Sequence, residues 1–153
     1  VHERLWPQTK EAKHLEISIN ALERGFKLQN DYYNGINLAF MLNVRAALTG
    51  TAPAEAIADY VQAQRTRRKV INICKKYLGA GIENNEEKYW VLATLWEASA
   101  GIDDAAGIEQ WEAEAKQHVK SNKLPGWMVD TTKDQIVKLT ELLKPSPLRH
   151  ITG

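Results

Sequence analysis

Residues 90–111 read WVLATLWEASAGIDDAAGIEQW and spell out a helix, a tight turn and a second helix. Before Gly101 the apolar residues recur at three- and four-residue spacing, the period of a helix face. Gly101 and Ile102 form the connection. Asp103 then suits an N-cap, because its carboxylate can accept from amides that the first turn leaves unpaired. In the second helix Gly107 and Trp111 stand one turn apart, a small residue that lets two helices approach and an aromatic that fills the gap beside them. No stretch of the chain alternates with period two for long enough to make a strand. The expectation is all-α, helix after helix.

The same pattern extends in both directions. Leu15, Ile19, Leu22 and Phe26 step along one face of a first helix expected over about Thr9 to Leu28 and ended by Asn30 and Asp31. A second is expected from Tyr33 to Leu48, where Ile36, Phe40, Val44 and Leu48 fall four apart, closed by Thr49, Gly50 and Thr51. Pro53 suits the first turn of a third helix, where its missing amide hydrogen would be unpaired anyway. That helix is expected to run to Leu78, with Gly79 and Gly81 bracketing its stop. Asn84 or Asn85 caps a fourth over about Glu86 to Ala100, and the fifth ends near Val119. After a loop containing Pro125, a sixth starts between Trp127 and Thr132, with Ile136, Leu139 and Leu143 on one side. The tail after Pro145 is expected to fray. Six helices with short connections, paired antiparallel in succession, meet the requirements of a helical-repeat solenoid spanning residues 1–153 as one domain. A compact bundle is the main alternative.

The tetratricopeptide repeat is about 34 residues long, two helices with small and large residues interlocking at set positions. ALERGFKLQND (Ala21–Asp31) has the look of the second helix and exit of such a repeat, with Gly25 at a small-residue position and Asn30 where proline is common. Trp90–Trp111 looks like a second copy. DYYNGINLAFML (Asp31–Leu42), NNEEKYW (Asn84–Trp90) and LPGW (Leu124–Trp127) together resemble the TRAF-binding, tetratricopeptide-containing central regulatory region of the apoptosis signal-regulating kinases and its bacterial relatives. The similarity spans about Ala12 to Leu143, and GINLA (Gly35–Ala39) is its most distinctive part. The resemblance implies a helical solenoid that docks partner proteins and relays their binding to an attached effector domain. Gly35, Asn37, Trp90, Gly107, Trp111 and Trp127 are expected to be structural. The chain departs from a strict repeat at Glu114, where a small residue is usual, and in its long third helix. TRAF binding itself does not transfer residue by residue. The first element looks like the second half of a hairpin, so a longer polypeptide carrying the effector domain is expected.

The bulk properties narrow the function. At 153 residues, 44% hydrophobic and 25% charged, the chain can bury a core without disulfide or metal staples. Twenty basic against nineteen acidic residues leave a net charge of +1, too little to hold a polyanion, so nucleic acid is not an expected partner. Cys74 is the only cysteine, which excludes an internal disulfide and a cysteine-based zinc site and fits a reducing, cytoplasmic setting. No stretch approaches the roughly 18 to 20 apolar residues that cross a bilayer. The four histidines lack a second ligand at metal-binding spacing, as in His14 with Glu11 or His118 with Glu114. No glycine-rich phosphate loop, GxSxG, HExxH or kinase motif is present. The chain is therefore expected to need no cofactor or metal and to carry no catalytic site of its own.

The candidate sites each admit two readings. Arg65, Arg68, Lys69 and Lys76 share one side of the third helix, opposite Ala56, Tyr60, Ala63, Val70, Cys74 and Tyr77. They form either a solvated face paired with acidic neighbours or a docking stripe for an acidic protein partner. Arg67 falls among the apolar residues. Its stem packs while its head reaches water or a carboxylate, or it is a pocket arginine holding an anionic small ligand in a concave groove. Tyr32 and Tyr33 are packing at a helix entry or the rim of that groove. Trp90 and Trp111 read as core. Trp96 occupies a position where repeats often have glycine, so it is a candidate to project into a groove as an interface anchor. The favoured function is a non-catalytic docking module of a larger signalling protein, the rival a small-anion sensor.

Overall fold

The structure is a computed structural model that describes the backbone of residues 2–29, 31–48 and 51–145 and the side chains of those residues from Ala12 onward. Its elements are α1 (His2–Gln29), α2 (Tyr32–Ala47), α3 (Pro53–Ala80), α4 (Asn85–Gly101), α5 (Ala105–Ser121) and α6 (Trp127–Leu143). No strand occurs among the described residues. The chain is an all-α, tetratricopeptide-like helical repeat. Asn30, Thr49, Gly50 and the tail after Pro145 lie outside the described residues.

Local chemistry sets most of the boundaries. Asp31 accepts from the Tyr33 amide at 2.9 Å at the start of α2. Asn84, not Asn85, caps α4, accepting from the Glu87 amide at 2.9 Å. The cap of α5 is Asp104 rather than Asp103: Asp104 accepts from the Gly107 amide at 3.2 Å, while Asp103 takes a φ of 57° to turn the chain. Adjacent aspartates are interchangeable to a sequence reading, and the turn geometry chooses between them. Gly79 lies inside α3, which runs on to Ala80, and Gly81 stops it with a φ of 92°. Helix α1 begins at His2, earlier than the apolar spacing suggests.

Helices α2 and α3 form one hairpin and α4 and α5 the next, with α1 packed on α2 and α3 on α4. The alternate helices α2, α4 and α6 also touch one another, whereas α3 and α5 make no comparable contact. The array therefore curls with α2, α4 and α6 inside. As every second helix in an array of hairpins with short connections these three run parallel, and the Tyr89 hydroxyl near the start of α4 donates to the Met128 carbonyl near the start of α6 at 3.0 Å.

Small residues permit the close approaches. A methyl group at Gly35 would lie 2.5 Å from Val70 Cγ2 and 2.7 Å from the Phe26 ring, where α1, α2 and α3 converge. One at Gly107 would lie 2.7 Å from Ser99 Oγ on α4 and 2.6 Å from the capping carboxylate of Asp104. Trp111, one turn on, is buried. Glu114, the departure from the repeat, is exposed. A polar clamp ties the first three helices: Arg45 donates to both carboxylate oxygens of buried Asp59 at 2.8 and 2.7 Å and to Glu16 at 2.6 Å.

Urea unfolding tests this packing. Gly35→Ala is expected to destabilise by about 1 to 3 kcal/mol through overpacking, and Trp111→Ala by about 3 to 5 kcal/mol. At Gly107 the helix-propensity gain of about 1 kcal/mol that alanine would bring on an open surface should vanish or reverse. Gly79 faces open space, so Gly79→Ala should be neutral or stabilising by up to about 1 kcal/mol. A Gly35→Ala variant as stable as Gly79→Ala would rule out the tight convergence.

Candidate functional site

The curl leaves a groove of about 570 Å³ on its inner side. From α2 come Tyr32, Tyr33, Ile36 and Asn37, from α4 Trp90, Ala93, Thr94 and Glu97, and from α6 Thr131, Thr132, Asp134, Gln135 and Lys138. Each inner helix thus gives the groove a stripe one side wide, as three parallel helices around a hollow must.

At the floor the Tyr89 hydroxyl crosses between helices, and the other hydrogen bonds lie within one helix. Thr132 Oγ1 donates to the Met128 carbonyl at 3.0 Å and lies 2.8 Å from the Tyr89 hydroxyl, which joins α4 to α6. Thr94 donates back to the Trp90 carbonyl at 2.7 Å, and Asn37 to the Tyr33 carbonyl at 2.9 Å. Tyr32 packs edge-on against Tyr77 with centroids 5.9 Å apart. Burial pushes its phenol up to about 12, and the neighbouring Cys74, Glu87 and Asp31 add to the rise. Tyr33 is 66% exposed at the rim.

Glu97 is the one acid set into the wall from the middle of α4. Burial pushes its carboxyl up to about 7, against the opposing pull of Arg67 and Gln135. Arg67 lies behind it, wholly buried, with Nη2 donating to Asn43 Oδ1 at 2.6 Å and with Nε and Nη1 unpartnered. Burial lowers its guanidinium to about 10. The two charges attract across the wall without a direct ion pair among those of the described residues. Gly101 makes room for Arg67, since a methyl group there would run into the guanidinium.

Several candidates therefore change place. Arg67 does not line the groove; it is sealed between α2, α3 and α4 and cannot meet a ligand. Trp96 is only 4% exposed and faces α5, with Lys116 Nζ 6.0 Å from its ring centroid, so it is no exposed anchor. Trp96 lies on α4, which other helices cover on several sides, and Arg67 on a face of α3 that Asn43 of α2 and Gly101 of α4 close over. Trp127, expected to be structural, is 59% exposed at the first residue of α6, tilted against half-buried Trp90 at 6.3 Å. Tyr32, Tyr33, Asn37 and Trp90 come together in the groove. Arg65, Arg68, Lys69 and Lys76 are all exposed on α3 and none lines it. None of the four is in an ion pair among the described residues.

Glu97, Asp134 and Gln135 escaped sequence reasoning. For Glu97 the signal was available, a single acid inside the apolar run VLATLWEASA. Cys74 is buried, which pushes its thiol up to about 12 and leaves no reactive thiolate. Among the described residues no three of His, Cys, Asp and Glu gather as metal ligands. Ring nitrogens of His118 lie 2.7 Å from the Asn85 carbonyl and 3.1 Å from the Asn122 amide.

The family described as Tetratricopeptide Repeats-Sensor matches residues 1–42, which take in α1 and most of α2. It supports tetratricopeptide-like character in the first helix pair. No curated protein and no solved structure matches the chain.

The position of Glu97 makes stability depend on pH. Its carboxyl holds a proton up to about 7 in the fold against an ordinary 4.5. Its contribution is thus fully present below pH 4.5, is lost as pH rises toward 7, and is flat above. The total is on the order of 2 to 3 kcal/mol. Urea unfolding at steps from pH 4.5 to 7.5 should show the decline in the parent chain and a flatter profile in Glu97→Gln. Identical profiles would sink the assignment.

Proposed function

We propose that this chain is a non-catalytic docking and regulatory segment of a larger signalling protein, holding a partner protein on its helical-repeat surface. The observation that carries the reading is the groove along the inner helices α2, α4 and α6, rimmed by accessible aromatics on a rigid repeat scaffold. Interfaces draw their anchors from such aromatics. The tetratricopeptide match over residues 1–42 and the resemblance to the TRAF-binding region of the apoptosis signal-regulating kinases support it. On this reading the chain acts by binding alone; the ionisable side chains that line the groove are Glu97, Asp134, Lys138 and two tyrosines. Among the described residues no helix is long and apolar enough to cross a membrane, and the single buried cysteine suits work in the cytoplasm. An effector domain in the same polypeptide would receive the signal.

A second reading, a small-ligand sensor, draws on the word Sensor in the family description and on a groove volume within the range of small-molecule sites. With Arg67 sealed away, Lys138 is the only cation at the groove among the described residues, so an anionic ligand is poorly served.

Photo-crosslinkers placed at Tyr33 and at Lys69, with Lys144 as a remote control, separate these possibilities in cells. Docking requires a discrete protein adduct from Tyr33 or Lys69 and none from Lys144; adducts from neither would sink it. If the α3 stripe docks an acidic partner, charge reversal at Arg65, Arg68 and Lys69 should weaken association about tenfold, mainly through the on-rate, and added salt should mimic it. The urea midpoint should hardly move. Salt-insensitive, unaltered binding leaves the stripe a solvated face.

A further inference from the structure

We infer that the groove between α2, α4 and α6 receives the side chain of a lysine or arginine carried by an extended segment of the docked partner, an assignment that rests on the docking reading above.

The charges that a ligand could meet in the groove are Glu97, Asp134 and Lys138. Arg67 stands behind Glu97 with no exposed surface. At one end of the groove, where the inner helices start, Asp31, Glu86 and Glu87, and Asp130 add negative charge. Acids there are accounted for by the helix dipole, which favours them in a first turn. Glu97 and Asp134 lie well beyond the first turns of α4 and α6, so the dipole does not explain them. A carboxylate part-removed from water, with its one facing guanidinium out of direct contact, gains from a cation delivered on the open side, because the low local dielectric strengthens the attraction. An anionic segment would meet two carboxylates and one ammonium.

The remaining walls fit the rest of a basic residue. Tyr32, Tyr33 and Trp90 can lie along a long aliphatic stem and offer ring faces to its charged head. Asn37 on α2 and Gln135 on α6 bring amide groups to opposite walls, where they can pair with the backbone of an extended segment. The Asn37 amide already donates to Tyr33, which leaves its oxygen as acceptor. The groove, about 570 Å³ and shared by three helices, holds more than one side chain, which favours a peptide over a free amine.

Binding also couples to the Glu97 proton. The groups that face Glu97 or share its groove are Arg67 from α3, Tyr32 and Tyr33 from α2, and Asp134, Gln135 and Lys138 from α6. An incoming cation holds Glu97 ionised, so affinity should rise several-fold between pH 6 and 8.

The test is selection of a random dodecapeptide phage library on the chain at pH 7.5, followed by fluorescence anisotropy with the winning peptide, fluorescein-labelled. The expected winners share a lysine or arginine whose replacement by norleucine or citrulline weakens binding at least about tenfold. Glu97→Gln should weaken it similarly, with its unfolding transition retained. Asp134→Asn, on an exposed position that leaves the fold alone, should weaken it about threefold or more. Lys144→Glu, on an exposed position outside the groove, should change nothing. Winners anchored by acidic or uncharged residues, or binding indifferent to both groove variants, would overturn the inference. So would an empty selection, or displacement by arginine methyl ester at the concentration of the peptide itself, which would make the site one for small amines. Winners lost in Arg68→Glu would overturn it while leaving docking intact, and crosslinks at Tyr33 or Lys69 judge docking independently.

Discussion

Helix α4 is packed on by α2, α3, α5 and α6, and this crowding constrains the rest. From Tyr89 to Gly101 nearly every side chain is buried, and only the first turn is fully open to water. A helix apolar on several sides is stable only inside other helices, so its neighbours must wrap it. Wrapping in turn demands small residues at the tightest points. Ser99 meets Gly107 on one side of α4, and Gly101 admits Arg67 on another. The groove is the space on the remaining side of α4 that α2 and α6 flank without filling.

Much of the fold was legible because helix period, caps and glycine stops act locally. Phe26, Val44 and Leu139 need only their own helix to declare a face, and Asn84 needs only the amide of Glu87. The tetratricopeptide reading of Trp90–Trp111 rested on Gly107 and Trp111, whose environments are the close approach and the filled gap that such a pair implies. What was not legible depends on how many neighbours a helix has. The groove readings of Arg67, drawn as an alternative to packing, and of Trp96, drawn from its repeat position, fail because both sit against an additional helix that no periodicity announces. Trp127 was expected to be structural; its place at the first residue of α6 leaves it leaning on Trp90 from outside. Glu97, Asp134 and Gln135 belong to a site whose lining runs from Tyr32 to Lys138, which only the curl of the array brings together.

The polar interior divides into two kinds of charge. Arg45 is fully engaged, with Asp59 and Glu16 raising its guanidinium further above an already high value. It binds three helices with strong, charge-assisted bonds. Arg67 is its opposite, with one bond to Asn43, two unpartnered nitrogens and a carboxylate beyond direct reach. Leaving such a group buried is costly, and that cost is met by the packing around it. One arginine fastens the repeat together, whereas the other holds a field across the groove wall.

The contact between α2 and α6 gives the array a property that open solenoids lack. Where each repeat touches only its neighbours, an array can unzip from either end, one unit at a time, as a chain of nearest-neighbour couplings. Here the last helix rests on both α4 and α2, two and four elements back. Loosening α6 removes contacts from the first hairpin as well as the second, and loosening α2 frees α6. The first hairpin and α6 are thereby coupled, so loosening at one is felt at the other rather than passing only from neighbour to neighbour.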